Sequence, residues 1–383
     1  MQQAVIAGYV RTPFHFARKG ALAEVRPDDL AGLVVRELVA RTGIDPATLE
    51  DVVFGCAYPE AEQGNNIARI AVLLAGLPIE VAGMTVNRFC GSSMSAIHIA
   101  AGQIAIGAGE AFVAGGVESM TRVPQGGFNF SPNHRFKGFP EAELLTEAYI
   151  SMGQTAENVA AQYGVSRVDQ EQLAFASQQK AAAAQAGGRL RDEIVGVMTP
   201  AGLVDVDGCL RPQTTLEGLA GLKPAFRPDG SVTAGTSSPL TDGAAATLVT
   251  SEDYAARNGL EVLARIRAVA SAGCPPEIMG MGPVPATRKA LARAGLTIDD
   301  IDVVEINEAF GSQSVACVRE LGIPWEKVNI DGGGIAIGHP LGATGARITA
   351  KAAQIMKREG KRFALSTQCI GGGQGVATIL EAV

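Results

Sequence analysis

The sequence predicts an α/β protein made of two related halves, on three observations. Short apolar runs that suit buried strands, such as "EDVVFGCA" and "EAFVAGG", alternate with stretches of helical periodicity. One order of elements occurs twice: a helix ending at glycine, an acidic linker, then an Asp-Val-Val strand, in "LVARTGIDPATLEDVVFG" and again in "LARAGLTIDDIDVVEI". Between the copies, roughly 121–241, the pattern changes to a polar stretch rich in Pro and Gly followed by helical segments.

Taken in order, "MQQAVIAGYVRTPF" enters a strand-like run at once and does not read as a leader peptide. "PDDLAGLVVRELVARTG" reads as a helix. Asp28 and Asp29 suit its start, Leu30, Leu33, Val34 and Leu38 form its apolar stripe, and Gly43 suits its end. "EDVVFGCA" is a buried strand. After Cys90, Met94, Ile97, Ala101 and Ile104 recur at helical spacing, and "EAFVAGG" is the next strand. "RVPQGGFNFSPNHRFKGFP" is loop-like, whereas "TAENVAAQYG" and "DQEQLAFASQQKAAAAQAG" are helical. The second half repeats the first as a strand, a glycine-rich turn and a helix in "VNIDGGGIAIGHPLGATGARITAKAAQI", closed by "FALSTQCIGGG". These readings divide the chain into a first half (1–118 with 242–262), an inserted segment (119–241) and a second half (263–383). An insertion over an α/β core often completes a ligand site.

Composition narrows the function. The 383 residues carry a formal net charge of −7 and one Trp. That argues against general binding to nucleic acid or anionic membranes. No apolar run reads as long enough to span a bilayer. The cysteines at 56, 90, 209, 274, 317 and 369 are widely spaced, form no CxxC pair and suggest no metal site. They read as reduced thiols in a cytoplasmic protein, and the C-terminal "EAV" matches no peroxisomal or retention signal.

The residues that carry chemistry stand at boundaries between elements. Cys90, in "TVNRFCGSSMSAIHIAAGQI", lies between a strand and a helix, where helix amides and the dipole are expected to lower its pKa. A boundary cysteine alone is more often structural. His339 lies in the glycine-rich loop of "GGGIAIGHPLGATGAR". Of the other histidines, His98 lies on an apolar helical stripe, and His15 and His134 lie in polar loops. Cys369, in "STQCIGGGQG", reads as the second half's match for Cys90, and the glycines after it leave backbone N–H groups free for an oxyanion. "EINEAFGSQ" places Asn307 and Glu308 just after a buried strand; Glu308 alone reads as a solvated or capping charge. A Cys nucleophile with a His base suits acyl transfer, and a second Cys suits proton transfer. No G-x-G-x-x-G turn opens a βαβ unit, so the glycines do not read as a dinucleotide site.

Eight stretches in order, "VRTPF", "VNRFCGSSMSA", "MGQTAENVA", "TAGTSSPLTDGAAA", "MGMGPVPATRKAL", "EINEAF", "GGGIAIGHPLGATGAR" and "CIGGGQG", resemble the thiolase family along nearly the whole chain. The resemblance implies a duplicated, five-layered α/β/α/β/α core with a loop domain inserted in the first half. It implies cleavage of 3-oxoacyl-CoA by coenzyme A, reversible as a Claisen condensation. CoA is then a co-substrate, with no permanently bound cofactor and no metal. Residue by residue, Cys90 matches the acylated nucleophile, His339 its activator, and Asn307 the holder of a water in the first oxyanion hole. Cys369 matches the acid/base, and the N–H groups of Cys90 and Gly371 a second oxyanion hole. Arg211 and Ser238 match CoA contacts, and Met152, Met279 and Phe310 line the acyl pocket. The family also implies a homodimer or tetramer and, for β-oxidation, a complex with a hydratase/dehydrogenase.

Ser151 stands in "ISMGQTAEN" where biosynthetic members usually carry His. With "EQGNNIAR" and "FCGSSM", it favours the degradative branch over acetoacetyl-CoA synthesis from two acetyl-CoA. Gly334 stands where the family commonly has Ala, with little consequence expected. A β-ketoacyl synthase would show a second His in place of Cys369, and a papain-like hydrolase would carry a propeptide or signal. A non-catalytic acyl-CoA-binding subunit would not need Cys90, His339 and Cys369 together.

Overall fold

A computed structural model of the chain describes residues 2–133 and 147–383; His134 lies outside them. Among the described residues, a large mixed sheet holds β1 (Ala4–Arg11), β2 (His15–Phe16), β3 (Asp51–Gly55), β4 (Ala82–Val86) and β5 (Ala111–Ser119) from the first part of the chain. A separate hairpin, β6 (Val197–Thr199) and β7 (Gly202–Val204), belongs to the insertion. The large sheet continues with β8 (Thr241–Ser251), β9 (Ala264–Gly273), β10 (Val303–Ile306), β11 (Phe363–Ile370) and β12 (Gln374–Glu381).

The duplication is visible in the strand order, β4-β3-β5-β8-β1 on one side and β10-β11-β12-β9 on the other. In each half an Asp-Val-Val strand (β3, β10) runs parallel to the next strand (β5, β11), which pairs antiparallel with its neighbour (β8, β12). The halves meet where β1 and β9 pair through Val5↔Arg265 and Ile6↔Ala264.

The helices that place the site are α1 (Pro27–Thr42), α2 (Ile67–Leu74), α3 (Ser92–Ile106), α4 (Met152–Gln162), α5 (Arg167–Ala186), α6 (Pro283–Ala294), α7 (Gly311–Leu321) and α8 (Leu341–Arg358). The repeat's glycines end α1 and α6 in the same way, with Gly43 at φ 67° and Gly295 at φ 69°, the left-handed cap that glycine adopts without strain. On one outer face, Val34 and Leu38 of α1 and Ile67 and Ala71 of α2 pack on Val52, Phe54, Val113 and Leu248. On the other, α6 and α7 set Val284, Leu291, Val315 and Val318 on Val304, Leu365 and Ile379. Between the half-sheets lie α3 and α8, through Ala96, Ile97, Ala100, Ala346, Ala350 and Ala353. Helix, sheet, helix, sheet and helix make five layers. Small residues bring α3 and α8 close: a Cβ on Gly345 would stand 2.3 Å from the backbone nitrogen of Met94.

By length and mean hydropathy (1.2), Phe89–Ile106 reaches what a membrane span needs, contrary to the sequence reading; its apolar residues are those of a core helix between the two half-sheets. The predicted helices of the insertion form α4 and α5, the latter started by a capping box of Ser166 and Asp169. Buried charges fasten the insertion to both halves. Arg11 of β1 meets Asp207 at 2.6 Å and Glu193 at 2.7 Å, and Lys351 of α8 meets Glu193 at 3.0 Å and Asp331 at 3.1 Å.

Candidate active site

Cys90 sits in a single 3₁₀ turn, Phe89–Gly91, between β4 and α3. The turn is tight. Phe89 takes φ 42°, a left-handed value that bulky residues rarely adopt, and a Cβ on Gly91 would stand 2.5 Å from Ile370 Cδ1. The turn therefore lies against the end of β11, and the side-chain amide of Gln368 donates to the carbonyl of Cys90. The expected lowering of the Cys90 pKa is not found. Burial pushes the thiol up to about 11, and the N–H groups of Gly371 and of Cys90 itself offset only part of that cost. The donors at the sulfur are thus Gly371 and Cys90 itself, where the sequence suggested the amides of α3, and the desolvation was underestimated.

His339 is buried, and both ring nitrogens have partners. Thr344 donates its hydroxyl hydrogen to the carbonyl of Pro340 (2.9 Å), so its oxygen accepts from Nδ1–H at 2.6 Å. Nε2 is left with its lone pair, and the Nδ2 of Asn307 donates to it at 3.2 Å. The Oδ1 of Asn307 is buried and has no protein partner, which suits the water expected there. Burial first, then the charge of Arg347, lowers the imidazole pKa to about 3, so the ring is neutral. A Cβ at Gly334 would stand 2.8 Å from Asn307 Oδ1, so an Ala there would need that amide to shift.

Cys369 is fully buried near the end of β11, in one apolar cluster with Met152, Met279, Phe310, Ala156 and Val232. Burial first, then the neighbouring sulfurs of Cys90, Cys317 and Cys274, raises its pKa well above the usual thiol value. Gly371 faces the same side; a Cβ there would lie 3.5 Å from Met152 Sδ. The three predicted pocket residues and the predicted acid/base are thus brought together.

Cys369 is not the second half's match for Cys90. Since Gly55 pairs with Gly116 and Ile306 with Thr367, the register makes Cys369 the counterpart of Glu118 of β5. The counterpart of Cys90 is His339: one stands two residues before α3, the other two residues before α8. The repeat thus delivers two strand-end residues and two residues ahead of helices to the middle of the molecule, one of each from each half.

Residues 4–253 match the model of the thiolase N-terminal domain, and residues 260–382 that of the thiolase C-terminal domain. The chain belongs to the thiolase family. Along its full length and theirs, this thiolase is 47% identical to a 3-ketoacyl-CoA thiolase of Bacillus subtilis (strain 168) and 48% identical to one of Shewanella denitrificans. A 3-ketoacyl-CoA thiolase of Pseudoalteromonas translucida is 47% identical over the same span.

Of the remaining predicted contacts, one lies at the surface and one borders the buried cluster. Arg211 is exposed, with its guanidinium 5.0 Å from the centre of the Phe16 ring. Ser238 donates through N and Oγ to the carbonyl of Ala309 (3.0 and 3.1 Å), beside Phe310. Three polar residues that hold the thiolase site were missed. Thr344 fixes the His339 tautomer. Glu118 accepts from Ala57 N (2.8 Å), Tyr58 N (3.2 Å), Gln63 Nε2 (2.9 Å) and Gly342 N (2.9 Å), tying the loop after β3 to the start of α8. Glu308, read as a solvated or capping charge, is buried and accepts from Ser177 Oγ (2.6 Å), Asn329 Nδ2 (2.7 Å) and Ile335 N (3.2 Å), bracing the glycine loop before His339.

Proposed function

We propose that this thiolase cleaves 3-oxoacyl-CoA with coenzyme A, giving acetyl-CoA and an acyl-CoA two carbons shorter, in the degradative direction. The observation that carries the reading is a neutral His339 with its Nε2 lone pair held by Asn307, together with two buried thiols, one of which sits in an apolar pocket. In the first half-reaction Nε2 takes the proton of Cys90, and the thiolate attacks the 3-oxo carbon. The C2–C3 bond breaks, and the acetyl-CoA carbanion takes a proton from Cys369. Gly371 N–H and Cys90 N–H, with the Asn307-bound water and His339, stabilise the oxyanions. In the second, Cys369 recovers a proton from the CoA thiol. The CoA sulfur then takes the acyl group from Cys90, whose thiolate regains the proton from His339. Thioester exchange is close to balanced, so a cysteine passes the acyl group on where a serine ester would hold it.

Met152, Met279 and Phe310 line the acyl chain in this reading, and Ser238 and Arg211 on Phe16 meet CoA from the insertion. The three-part division at 118, 241 and 262 fits this assignment, with the insertion lying over the site. Ser151 at the start of α4 supports the degradative direction, as do the names of the relatives. A cytoplasmic dimer or tetramer, joined in β-oxidation by a hydratase/dehydrogenase, completes the proposal. The test is thiolysis across 3-oxoacyl-CoA of increasing length. Medium or long chains should be cleaved at least as well as acetoacetyl-CoA. A strict preference for acetoacetyl-CoA, with fast condensation of acetyl-CoA, would sink the degradative reading.

A further inference from the structure

Between β10 and α8 lies a buried charge pair that the catalytic steps do not use. Glu305 of β10 and Arg347 of α8 are both buried, with Glu305 Oε2 3.6 Å from Arg347 Nη1. That is an ion pair and not a hydrogen bond. Both carboxylate oxygens, and Nε and Nη2 of the guanidinium, lack hydrogen-bond partners in the protein, as does the hydroxyl of Tyr9, whose charged neighbours include Arg347. Five orphaned polar atoms in a dry interior would be costly, and such groups take internal water.

In sequence the pair flanks the two residues that hold the imidazole. Glu305 stands two residues before Asn307, which holds Nε2, and Arg347 stands three residues after Thr344, which holds Nδ1. Arg347 is also the charge that acts on His339.

We propose that Glu305 and Arg347 form a water-completed charge pair that positions His339 and sets its basicity. When Glu305 is protonated, the field of Arg347 is uncompensated and makes the imidazole a poorer proton acceptor. When Glu305 is ionised it cancels that field, and the imidazole takes the Cys90 proton more readily. The groups that face Glu305 are Arg347 and Lys351 of α8, Asp331 of the preceding loop and Glu308 beyond β10. Burial outweighs the two cations and brings the carboxyl up to about 8, so the balance changes within the working range of pH.

The inference rests on His339 being the base for Cys90, and alkylation of Cys90 by iodoacetamide separates the two. In the wild-type chain the labelling rate should rise through a step centred near pH 8, below the Cys90 ionisation itself. In Glu305→Gln, which stays neutral, the step should vanish. At pH 9 its labelling and kcat should be about tenfold lower, the effect of one pKa unit, with KM for the acyl-CoA unchanged. Arg347→Lys, which keeps the charge, should retain the step. A wild type with no step between pH 7 and 9, or a Glu305→Gln that keeps it, overturns the proposal and needs no variant to fold in the first case. If Cys90 is not labelled ahead of the other cysteines, the base assignment itself fails.

Discussion

The Nδ2 of Asn307 lies 3.2 Å from the Nε2 of His339, while its own Oδ1 is buried with no protein partner. One amide thus holds the ring nitrogen and offers an acceptor for water. Asn307→Ala should lower kcat for thiolysis by about 100-fold, in the range found for losing one oxyanion donor. KM should change little. Steady-state kinetics with one acyl-CoA decide it, and an unchanged kcat removes Asn307 from the mechanism.

The two cysteines should separate cleanly. In Cys369→Ala, Cys90 keeps His339 and the N–H of Gly371, so iodoacetamide should still label it. Thiolysis should fall by about 100- to 10,000-fold, because no positioned group then protonates the carbanion. In Cys90→Ala no acyl-enzyme forms. Mass spectrometry of labelled protein and a thiolysis assay give both readings. Near-normal thiolysis by Cys369→Ala would contradict the assignment.

Asp331 predicts an acid limb of stability. Burial favours its neutral form, but hydrogen bonds from Arg358 and the charge of Lys351 outweigh that and hold the carboxyl at about 2. A carboxyl lower in the folded state stabilises above its unfolded pKa, and that stability is lost as pH falls towards 2. The contribution is about 2 kcal/mol. Urea unfolding at about pH 6 and about pH 3 should show a smaller loss in Asp331→Asn than in the wild type; equal losses would refute this.

Gly345→Ala should destabilise the protein, since its Cβ would meet backbone of α3 at 2.3 Å and not a yielding side chain. Overpacking of this kind costs about 1–3 kcal/mol. The urea midpoint should drop while Cys90 in the folded protein keeps its labelling rate. A midpoint equal to wild type would show that the helices can part at no cost.

What the sequence disclosed follows from the range of the interactions. The twice-used Asp-Val-Val strand and the glycine caps at Gly43 and Gly295 are local signals, and they led to two related halves; the layers came from the family resemblance. Cys90, His339, Cys369 and Asn307 stood out because each breaks a local pattern. The pairing of the copies was read wrongly, since Cys369 looks like Cys90 in sequence while the strand register makes it the counterpart of Glu118. The supports were invisible for a different reason. Glu118 meets Gly342 across 224 residues, and Glu308 meets Ser177 across 131. Nothing near either glutamate marks it as buried. The high pKa of Cys90 was missed because a helix terminus is visible in sequence and the depth of burial is not.

The first half-sheet cannot close early. β1 pairs with β8, Ala4 opposite Ser251, so the opening strand waits until about two-thirds of the chain exists. At ordinary translation rates that delay is on the order of tens of seconds. Throughout it an apolar strand, with Val5, Ile6 and Val10, has an open edge. Nascent chains of this protein should therefore be clients for chaperones at the ribosome, and release before residue 251 should leave a species that aggregates.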